Sequence, residues 1–523
     1  MKKLALLFSL VLCTGMYSQS DQNISNYNFW DTEPSLAVNP ANSNNLIAAW
    51  MRASGFSIAI ATSYSMDGGT TWSTPAYQPH LYPGFRSADP SVVFSSTGAA
   101  YLCYIDYEVS HDSGYVMVAH SNDGGASFSP AVQVFSALET PDKPVDRPWI
   151  AIDNSGGINN GKLYIVSKST EDGAFPHHIW MKSSIDNGST WSAIKLVDDS
   201  IPTNLITNAM GVPTVGADGS LYIGYVSYNP PQSPFARMIC VKSTDGGASL
   251  VPHIIGYGSS SSAITDSLYQ GSYVLTANPS DAGNLIYTFT DQRNGDPDIL
   301  SLSSSDGGLS WSSTPIRVND DVLSNGIGQD MCWASFSTSG KYSVAWRDRR
   351  NGSTASNSAF EIFASVSLNG GLAFSPNQLL SSAPSPFINI QKGNDFIGVA
   401  MSDSYVYQDW CDLRTGNTEI FINKKAISQF TSIVENELTI MDAQLFPNPS
   451  SGNTTLTFEI KKEQQVEILI TDMKGRETGK SISQRLKSGK HEISLQSSAL
   501  KKGTYMISVK GEKSSSSLKL IMK

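Results

Sequence analysis

The chain is poor in charge: only 16% of its 523 residues are Asp, Glu, Lys or Arg. That excludes a charged coiled coil or a solvated disordered chain. Cysteine is scarce as well. Apart from Cys13, the cysteines are Cys103, Cys240, Cys332 and Cys411, and none stands in a Cys-x-x-Cys pair. A zinc ribbon or a dithiol redox motif is thereby excluded. The four read as buried strand thiols, with Cys332–Cys411 the one disulfide worth considering in an oxidising compartment. The seven histidines offer no metalloprotease helix, and His177-His178 reads as a loop pair. No Gly-x-Ser-x-Gly elbow and no phosphate-binding loop is present. The longest apolar run of the N-terminus, residues 4–13, is too short to span a membrane as a mature helix, and no later stretch reads as transmembrane. Lys2 and Lys3 before that run mark residues 1–20 as a signal peptide, and Leu12 before Cys13 argues against a lipid anchor.

Basic charge is absent where a polyanion would need it. The net charge is −10, yet residues 445–523 hold 14 basic and 7 acidic side chains and the leader adds two lysines, which leaves −19 on residues 21–444. An acidic body argues against nucleic acid as a partner.

What is abundant is a repeated octapeptide. It begins at Ser65, Ser121, Ser184, Ser243, Ser304 and Ser367, as in Ser65-Met66-Asp67-Gly68-Gly69-Thr70-Thr71-Trp72. The last copy carries Asn369 for Asp, and the steps from Asp67 onward are 56, 63, 59, 61 and 63 residues. A fixed period of this length means a propeller or an array. Asp-Gly-Gly between two strands is a hairpin turn, with glycine supplying positive φ and Asp accepting hydrogen bonds from its own backbone. These residues resemble the Asp-box repeat of sialidase-like β-propellers. In that family the box joins the third and fourth strands of a blade on the face opposite the active site, so Asp67, Asp123, Asp186, Asp245 and Asp306 read as structural.

Seven first-strand segments precede the six boxes: 36–39, 92–95, 150–153, 215–218, 275–278, 334–337 and 399–402. Each is followed by a second and a third strand. The expected fold is all-β, a propeller of seven four-stranded blades over residues 21–425; a six-bladed ring would leave one repeat unplaced. Seven first strands and six boxes account for 27 of 28 strands, and Ile24–Trp30 is expected to supply the last and close the ring.

A polar stretch, 426–444, reads as a linker. A small β-sandwich is expected over 445–523, with period-two alternation at Val466, Ile468 and Ile470. Its Pro447-Asn448-Pro449, Gly503-x-Tyr505 and basic end resemble the C-terminal sorting domain of the type IX (Por) secretion system. That resemblance implies transit through the periplasm to the outer cell surface or beyond, the secretion machinery as partner, and removal of the tail by a sortase-like protease.

Two constellations fall on the face opposite the boxes. At the start of the first strands Glu33, Asp89 and Arg147 occupy equivalent positions in blades 1 to 3, and Asp146, Asp330 and Asp395 stand one residue earlier in theirs. Carboxylates converging on one rim serve general-acid catalysis, with Glu33, Asp89 and Asp146 as candidates, or hold a hard cation such as calcium, or form a solvated edge. At the second hairpin of the last three blades stand Arg293, Arg350 and Arg414, each near an acid that precedes isoleucine: Asp298, Glu361 and Glu419. They read as an arginine cluster for an anionic sugar or as one ion-pair staple per hairpin. Sialidases carry an Arg-Ile-Pro sequence near the N-terminus, and this chain has Glu33-Pro34-Ser35 instead. The expected function is therefore a secreted or surface propeller that binds an extracellular glycan or glycoprotein without standard sialidase activity. The alternative is a glycoside hydrolase, an exo-sialidase or other glycosidase, working with carboxylates at the channel mouth. No cofactor is required by either.

Overall fold

The computed structural model describes residues 21–26, 30–55, 57–110, 113–170, 177–203, 209–229, 231–259, 272–354, 357–387, 396–431, 440–460, 463–472, 476, 478, 481–511 and 515–523. The leader lies outside the described residues. The chain divides into two compact units, Met1–Ile427 and Ser428–Lys523.

The first unit holds seven four-stranded antiparallel sheets, the blades of a propeller. The innermost strands are Trp30–Val38, Arg86–Phe94, Asp146–Ile152, Val212–Val215, Tyr273–Ala277, Gln329–Phe336 and Gly398–Met401. Each contains or abuts the apolar segment that announced it. The second and third strands are almost wholly buried, as in Leu221–Ser227 and Arg237–Ser243, because both faces pack against neighbouring blades. That explains why these strands read as apolar runs rather than as alternating ones. The third strands of blades 1 to 6 end on the first serine of a box.

The ring closes through the N-terminus, but over Gln22–Ile24, earlier than the expected Ile24–Trp30. Gln22 and Asn23 pair with Ile422 and Phe421 of the last blade, and Ile24 donates its N–H to the Ile420 carbonyl at 2.9 Å. Trp30 already begins the inner strand of blade 1, and residues 27–29 lie outside the described residues. The register is set by polar anchoring that a hydrophobic pattern does not reveal. The Asp21 carboxylate accepts from Arg414 Nη1 at 2.7 Å, from the Ser382 N–H at 2.7 Å and from Asn423 Nδ2 at 3.0 Å.

Around the axis, hydroxyls stitch one inner strand to the next. Ser35 Oγ accepts the Val92 N–H, Ser91 Oγ accepts the Ile150 N–H, and Thr214 Oγ1 accepts the Ala277 N–H, each at 3.2 Å. These buried backbone donors are thus satisfied by side-chain hydroxyls of the neighbouring blade. The four cysteines are buried free thiols, as their strand positions imply.

The second unit packs a three-stranded sheet, Ile440–Phe446, Thr454–Ile460 and Gly489–Leu495, with a four-stranded one, Ile482–Leu486, Gln464–Asp472, Gly503–Lys510 and Ser515–Met522. Phe458, Ile460, Val466, Ile468, Ile470, Ile507 and Val509 lie in one apolar core that draws on both sheets. A short helix, Ile427–Thr431, follows the last strand of blade 7 in the chain.

Candidate functional site: the mouth of the channel

Four inner strands carry a β-bulge at the same place. The register slips between Thr32 and Ser35, Ala88 and Ser91, Asp146 and Trp149, and Asp330 and Trp333. At each slip one non-glycine residue adopts positive φ: Glu33 at 54°, Asp89 at 54°, Arg147 at 49° and Met331 at 51°. Such backbone is costly for a residue with a Cβ and is held only where surroundings over-determine it. In the first three blades the next residue is proline, which has no N–H to give the ladder and so favours the break.

The side chains at these bulges reach from blade to blade. Glu33 Oε2 accepts the Asp89 N–H at 3.0 Å, and Asp89 Oδ2 accepts the Arg147 N–H at 3.3 Å. Arg147 returns a guanidinium N–H group to within 3.2 Å of Asp89 Oδ1 and lies 4.8 Å over the Phe396 ring. Asp146 pairs with the buried Lys168 ammonium at 2.6 Å. Glu33, Asp89, Asp146 and Arg147 therefore form one connected set across blades 1 to 3. Tyr107, at the end of the second strand of blade 2, adjoins it. Burial, then the charges of Asp89 and Glu33, push its phenol up to about 12, while Arg86 acts the other way.

Asp330 stands apart in blade 6. Arg347 forks onto it at 2.7 and 2.8 Å, and Arg349 adds a bond at 3.0 Å. Burial raises its carboxyl, but the two guanidinium groups outweigh burial and hold it far below the ordinary carboxylate range. Lys168, Arg347 and Arg349 were not singled out from the sequence, although Arg347 and Arg349 flank the Asp348 of the hairpin motif. Asp395 lies outside the described residues.

The floor of the mouth is aromatic. Trp149 of blade 3 and Trp333 of blade 6 stack across the axis with ring centroids 4.5 Å apart, and Phe396 meets Trp149 edge-on at 5.5 Å. The channel continues as a cavity of about 180 Å³ lined by inner-strand residues of all seven blades, including Ser35, Ser91, Thr214, Thr276 and Ser335. Nothing in the sequence period marked these two tryptophans, since they follow the bulges rather than the repeat's apolar core.

The three hairpin arginines lie farther out. Arg293, Arg350 and Arg414 each bond the aspartate two residues earlier, Asp291, Asp348 and Asp412, with Nε–O distances of 2.8, 3.0 and 2.9 Å. Each also reaches the outermost strand of the preceding blade or the loop after it: Arg293 to the Tyr257 carbonyl, Arg350 to Asp320 and Arg414 to Ser382. The acids before isoleucine take other partners, Arg317 for Asp298, Asn351 for Glu361 and Thr415 for Glu419.

On the opposite face the boxes close on themselves. Asp67 accepts from Ser65 Oγ, the Thr70 and Thr71 N–H groups and Thr71 Oγ1 at 2.6–3.0 Å. Burial pushes the Asp67 carboxyl up, but these bonds outweigh it and hold the group at about 2. Asp123, Asp186, Asp245 and Asp306 repeat the pattern. Several boxes are also docked on the preceding blade: Asn45 Nδ2 donates to the Gly124 carbonyl at 2.9 Å and Asn284 Nδ2 to that of Gly370 at 3.0 Å. A surface depression of about 600 Å³ lies on this face between blades 5 and 6. Serines, asparagines and the exposed Leu368 and Leu372 line it, and it holds no pair of titratable groups. Among the described residues no group of three or more His, Cys, Asp or Glu side chains is placed to hold a metal ion.

Comparison with known proteins identifies the tail. Residues 444–523 match the secretion system C-terminal sorting domain. The second unit is thus a type IX (Por) sorting domain, and the protein is a secreted or cell-surface cargo of that system. No helix among the described residues is long and apolar enough to cross a membrane. No curated protein matches the chain. Among solved structures, a protein of unknown function from Dyadobacter fermentans is 14% identical, covering 63% of this chain and 93% of its own, with a TM-score of 0.43. An α-L-arabinanase of Penicillium chrysogenum complexed with arabinobiose is 14% identical, covering 79% and 99%, with a TM-score of 0.44. A Trypanosoma rangeli sialidase in complex with sialic acid is 12% identical, covering 96% and 86%, with a TM-score of 0.42.

Proposed function

We propose that the exported propeller is a carbohydrate-binding protein whose site is the channel mouth formed by Glu33, Asp89, Asp146, Arg147 and Asp330. One observation supports binding over hydrolysis: each described rim carboxylate is already engaged. Glu33 holds a backbone donor, Asp89 holds Arg147, Asp146 holds Lys168 and Asp330 holds two arginines. A general acid must carry a proton at working pH, and cations beside a carboxyl oppose that. Fixed hydrogen-bonding groups above an aromatic floor suit a sugar's hydroxyls and its apolar face. Arg293, Arg350 and Arg414 are left out of the site, because each is spent on carboxylates or backbone within the blades.

A second reading, glycoside hydrolysis, draws support from Tyr107, whose phenol lies in the field of both Asp89 and Glu33. The experiment that separates the two uses the full chain on a glycan array and on a panel of sialylated, neutral and uronic-acid 4-nitrophenyl glycosides. The expected result is retention of a glycan without release of nitrophenol. Glu33→Gln, Asp89→Asn and Asp146→Asn, each checked by thermal melt, should weaken retention. If all three handle the glycan as the parent does, the rim is a solvated edge. Turnover abolished by Glu33→Gln or Asp89→Asn would establish the hydrolase instead.

A further inference from the structure

The box of blade 6 departs from the other five at two positions at once. In those five the aspartate is engaged through both oxygens. Its Oδ1 accepts the backbone N–H four residues on, and its Oδ2 accepts the hydroxyl of that residue, Thr71, Ser127, Thr190, Ser249 or Ser310. Blade 6 has Asn369 for the aspartate and Ala373 for the hydroxyl residue. Asn369 Oδ1 accepts the Ala373 N–H and the Ser367 hydroxyl, each at 2.9 Å. A backbone N–H can bond only the amide oxygen, so the amide nitrogen takes the place of Oδ2, where Ala373 offers nothing. That nitrogen has no partner among the described residues. The paired change removes a charge, keeps the turn and leaves a donor free at an exposed position.

Asn369 lines the depression of about 600 Å³ between blades 5 and 6. Asp281 and Ser305 line it too, and both are exposed. Asp281 Oδ1 accepts the Gly283 N–H at 2.9 Å, while its Oδ2 and the Ser305 hydroxyl have no partner among the described residues. Trp311 forms a wall. It is half-buried and packs against the apolar core that includes Leu285 and Leu302. It also lines a second depression of about 430 Å³, so the indole stands as a partition between the two. Leu368 and Leu372, each more than half exposed, add apolar surface. The lining is held in place across the blades: Asn278 Nδ2 donates to Asn284 Oδ1 at 3.1 Å, and Asn284 Nδ2 donates to the Gly370 carbonyl at 3.0 Å.

The chemistry of this lining is that of a sugar. A free carboxylate oxygen accepts hydroxyl donors, an amide nitrogen donates to a hydroxyl oxygen, and a serine hydroxyl does either. An indole beside them meets the apolar face of a sugar ring. No Lys, Arg or His lines the depression, and its one ionisable side chain is Asp281, so an acidic sugar would meet only repulsion. A protein surface covering the same ground would bury the Asp281 carboxylate and would have to bring a cation to it. Sugar hydroxyls satisfy it while leaving it in contact with water.

We propose that this depression is a second carbohydrate site, for a neutral sugar unit, in which Trp311 stacks on the ring, Asp281 accepts its hydroxyls, and Asn369 and Ser305 bond the remaining ones. The site lies on the box face, opposite the channel mouth, and stands whether or not the rim binds a glycan. Only the box of blade 6 takes part, through the amide nitrogen that its two substitutions set free.

The test titrates the full chain with the methyl glycosides of glucose, galactose, mannose and N-acetylglucosamine, and with that of sialic acid, by saturation-transfer NMR and calorimetry. The Asp89→Asn variant serves as the background, so that a sugar held at the rim does not mask the second site. At least one neutral glycoside should bind there with a Kd in the millimolar range. Trp311→Ala should weaken that binding roughly tenfold. Because Trp311 also packs on the core, a second variant leaves the core intact. Asn369→Asp with Ala373→Ser rebuilds the box that the other five blades carry, so it should keep the melting temperature. It ties up the outward group and adds a charge, and should lose the sugar. Binding kept by either variant overturns the site and leaves the rim reading as it was. Failure of every neutral glycoside to bind the background overturns it too. Tighter binding of the sialic acid glycoside overturns the neutral assignment.

Discussion

The Glu33 carboxylate accepts the backbone N–H of Asp89 at 3.0 Å, from blade 1 to blade 2, and both residues stand at a positive-φ bulge. Asp89 repeats the contact toward Arg147. The bulges of blades 2 and 3 thus each expose a donor that the preceding blade satisfies, and this chain of contacts ends at Arg147, whose guanidinium is a donor and not an acceptor. Glu33→Ala leaves the Asp89 N–H buried and unpaired, which costs about 1–3 kcal/mol. Glu33→Gln keeps an acceptor oxygen and loses less. Denaturant unfolding of both variants checks the order, and an alanine variant as stable as the parent would show that water serves the donor equally well.

A second carboxylate is placed where charge is unwelcome. Asp409 is fully buried in the second strand of blade 7, and a Cβ at the facing Gly398 would lie 2.1 Å from its Oδ1. Burial pushes its carboxyl up to about 8 from the ordinary 3.8. Between those values the folded protein keeps a proton that the unfolded chain has released, so stability falls as pH rises from about 4 and levels off above about 8. Asp409→Asn should flatten that slope and make the protein more stable than the parent at pH 8. Melting temperatures at pH 5 and pH 8 decide it; parallel curves for parent and variant would mean that Asp409 is ionised throughout.

The boxes have the opposite sign. Asp67 and Asp123 are both held at about 2 by hydrogen bonds to the charged form, so their contribution is complete above pH ~4 and is lost as pH falls toward 2. The chain already contains a natural variant. Asn369 accepts the Ala373 N–H at 2.9 Å through one oxygen and forms a box of the same shape without a charge. Asp67→Asn with Asp123→Asn should therefore fold, lose some stability at pH 7, and depend less on pH between 4 and 2. A variant that lost glycan binding with unchanged stability would reassign the boxes to function.

How much of this was legible follows from what each feature depends on. The blades could be read because a box needs glycine at positive φ and a serine or aspartate to close it, and those needs are local. The inner strands could be read because burial on both faces forces apolar runs. Ring closure was placed correctly at the N-terminus but two residues too late, since Asp21 and Arg414 fix it and they are nearly four hundred positions apart. Equivalent repeat positions brought Glu33, Asp89, Asp146 and Arg147 together, as the symmetry requires. Lys168 beside Asp146, Tyr107 beside Asp89 and Arg347 on Asp330 come from second strands, where no repeat position distinguishes them. The tryptophan pair depends on which side chains point at the axis, and one sequence carries no such information.

Export is testable apart from ligand binding. The tail has its own core, from Leu456 to Met522, and matches a sorting domain over residues 444–523. Deleting residues 445–523 should leave a folded propeller in the periplasm and none at the surface or in the medium. Fractionation with a periplasmic marker, and a melt of the retained protein, check both halves. Surface delivery of the truncated chain would place the export signal elsewhere.

The last prediction concerns the aromatic floor. Trp149 stacks on Trp333 at 4.5 Å and supports Phe396 edge-on, and Phe396 in turn carries the Arg147 guanidinium on its face. Arg147 is the partner that holds Asp89. Trp149→Ala removes the stack, joins the cavity of about 180 Å³ to the mouth, and frees Phe396 to move. Large-to-small changes at aromatic core sites cost about 3–5 kcal/mol, and a half-buried site should fall at or below the lower end. Trp149→Phe keeps a ring and should cost less. If the floor also positions the rim, Trp149→Ala weakens glycan affinity by more than Trp333→Ala does, because only Trp149 touches Phe396 in this chain of contacts. Calorimetry on both variants below their melting temperatures separates the two roles: equal affinities for the two alanine variants and the parent would leave the tryptophan pair as a plug and nothing more.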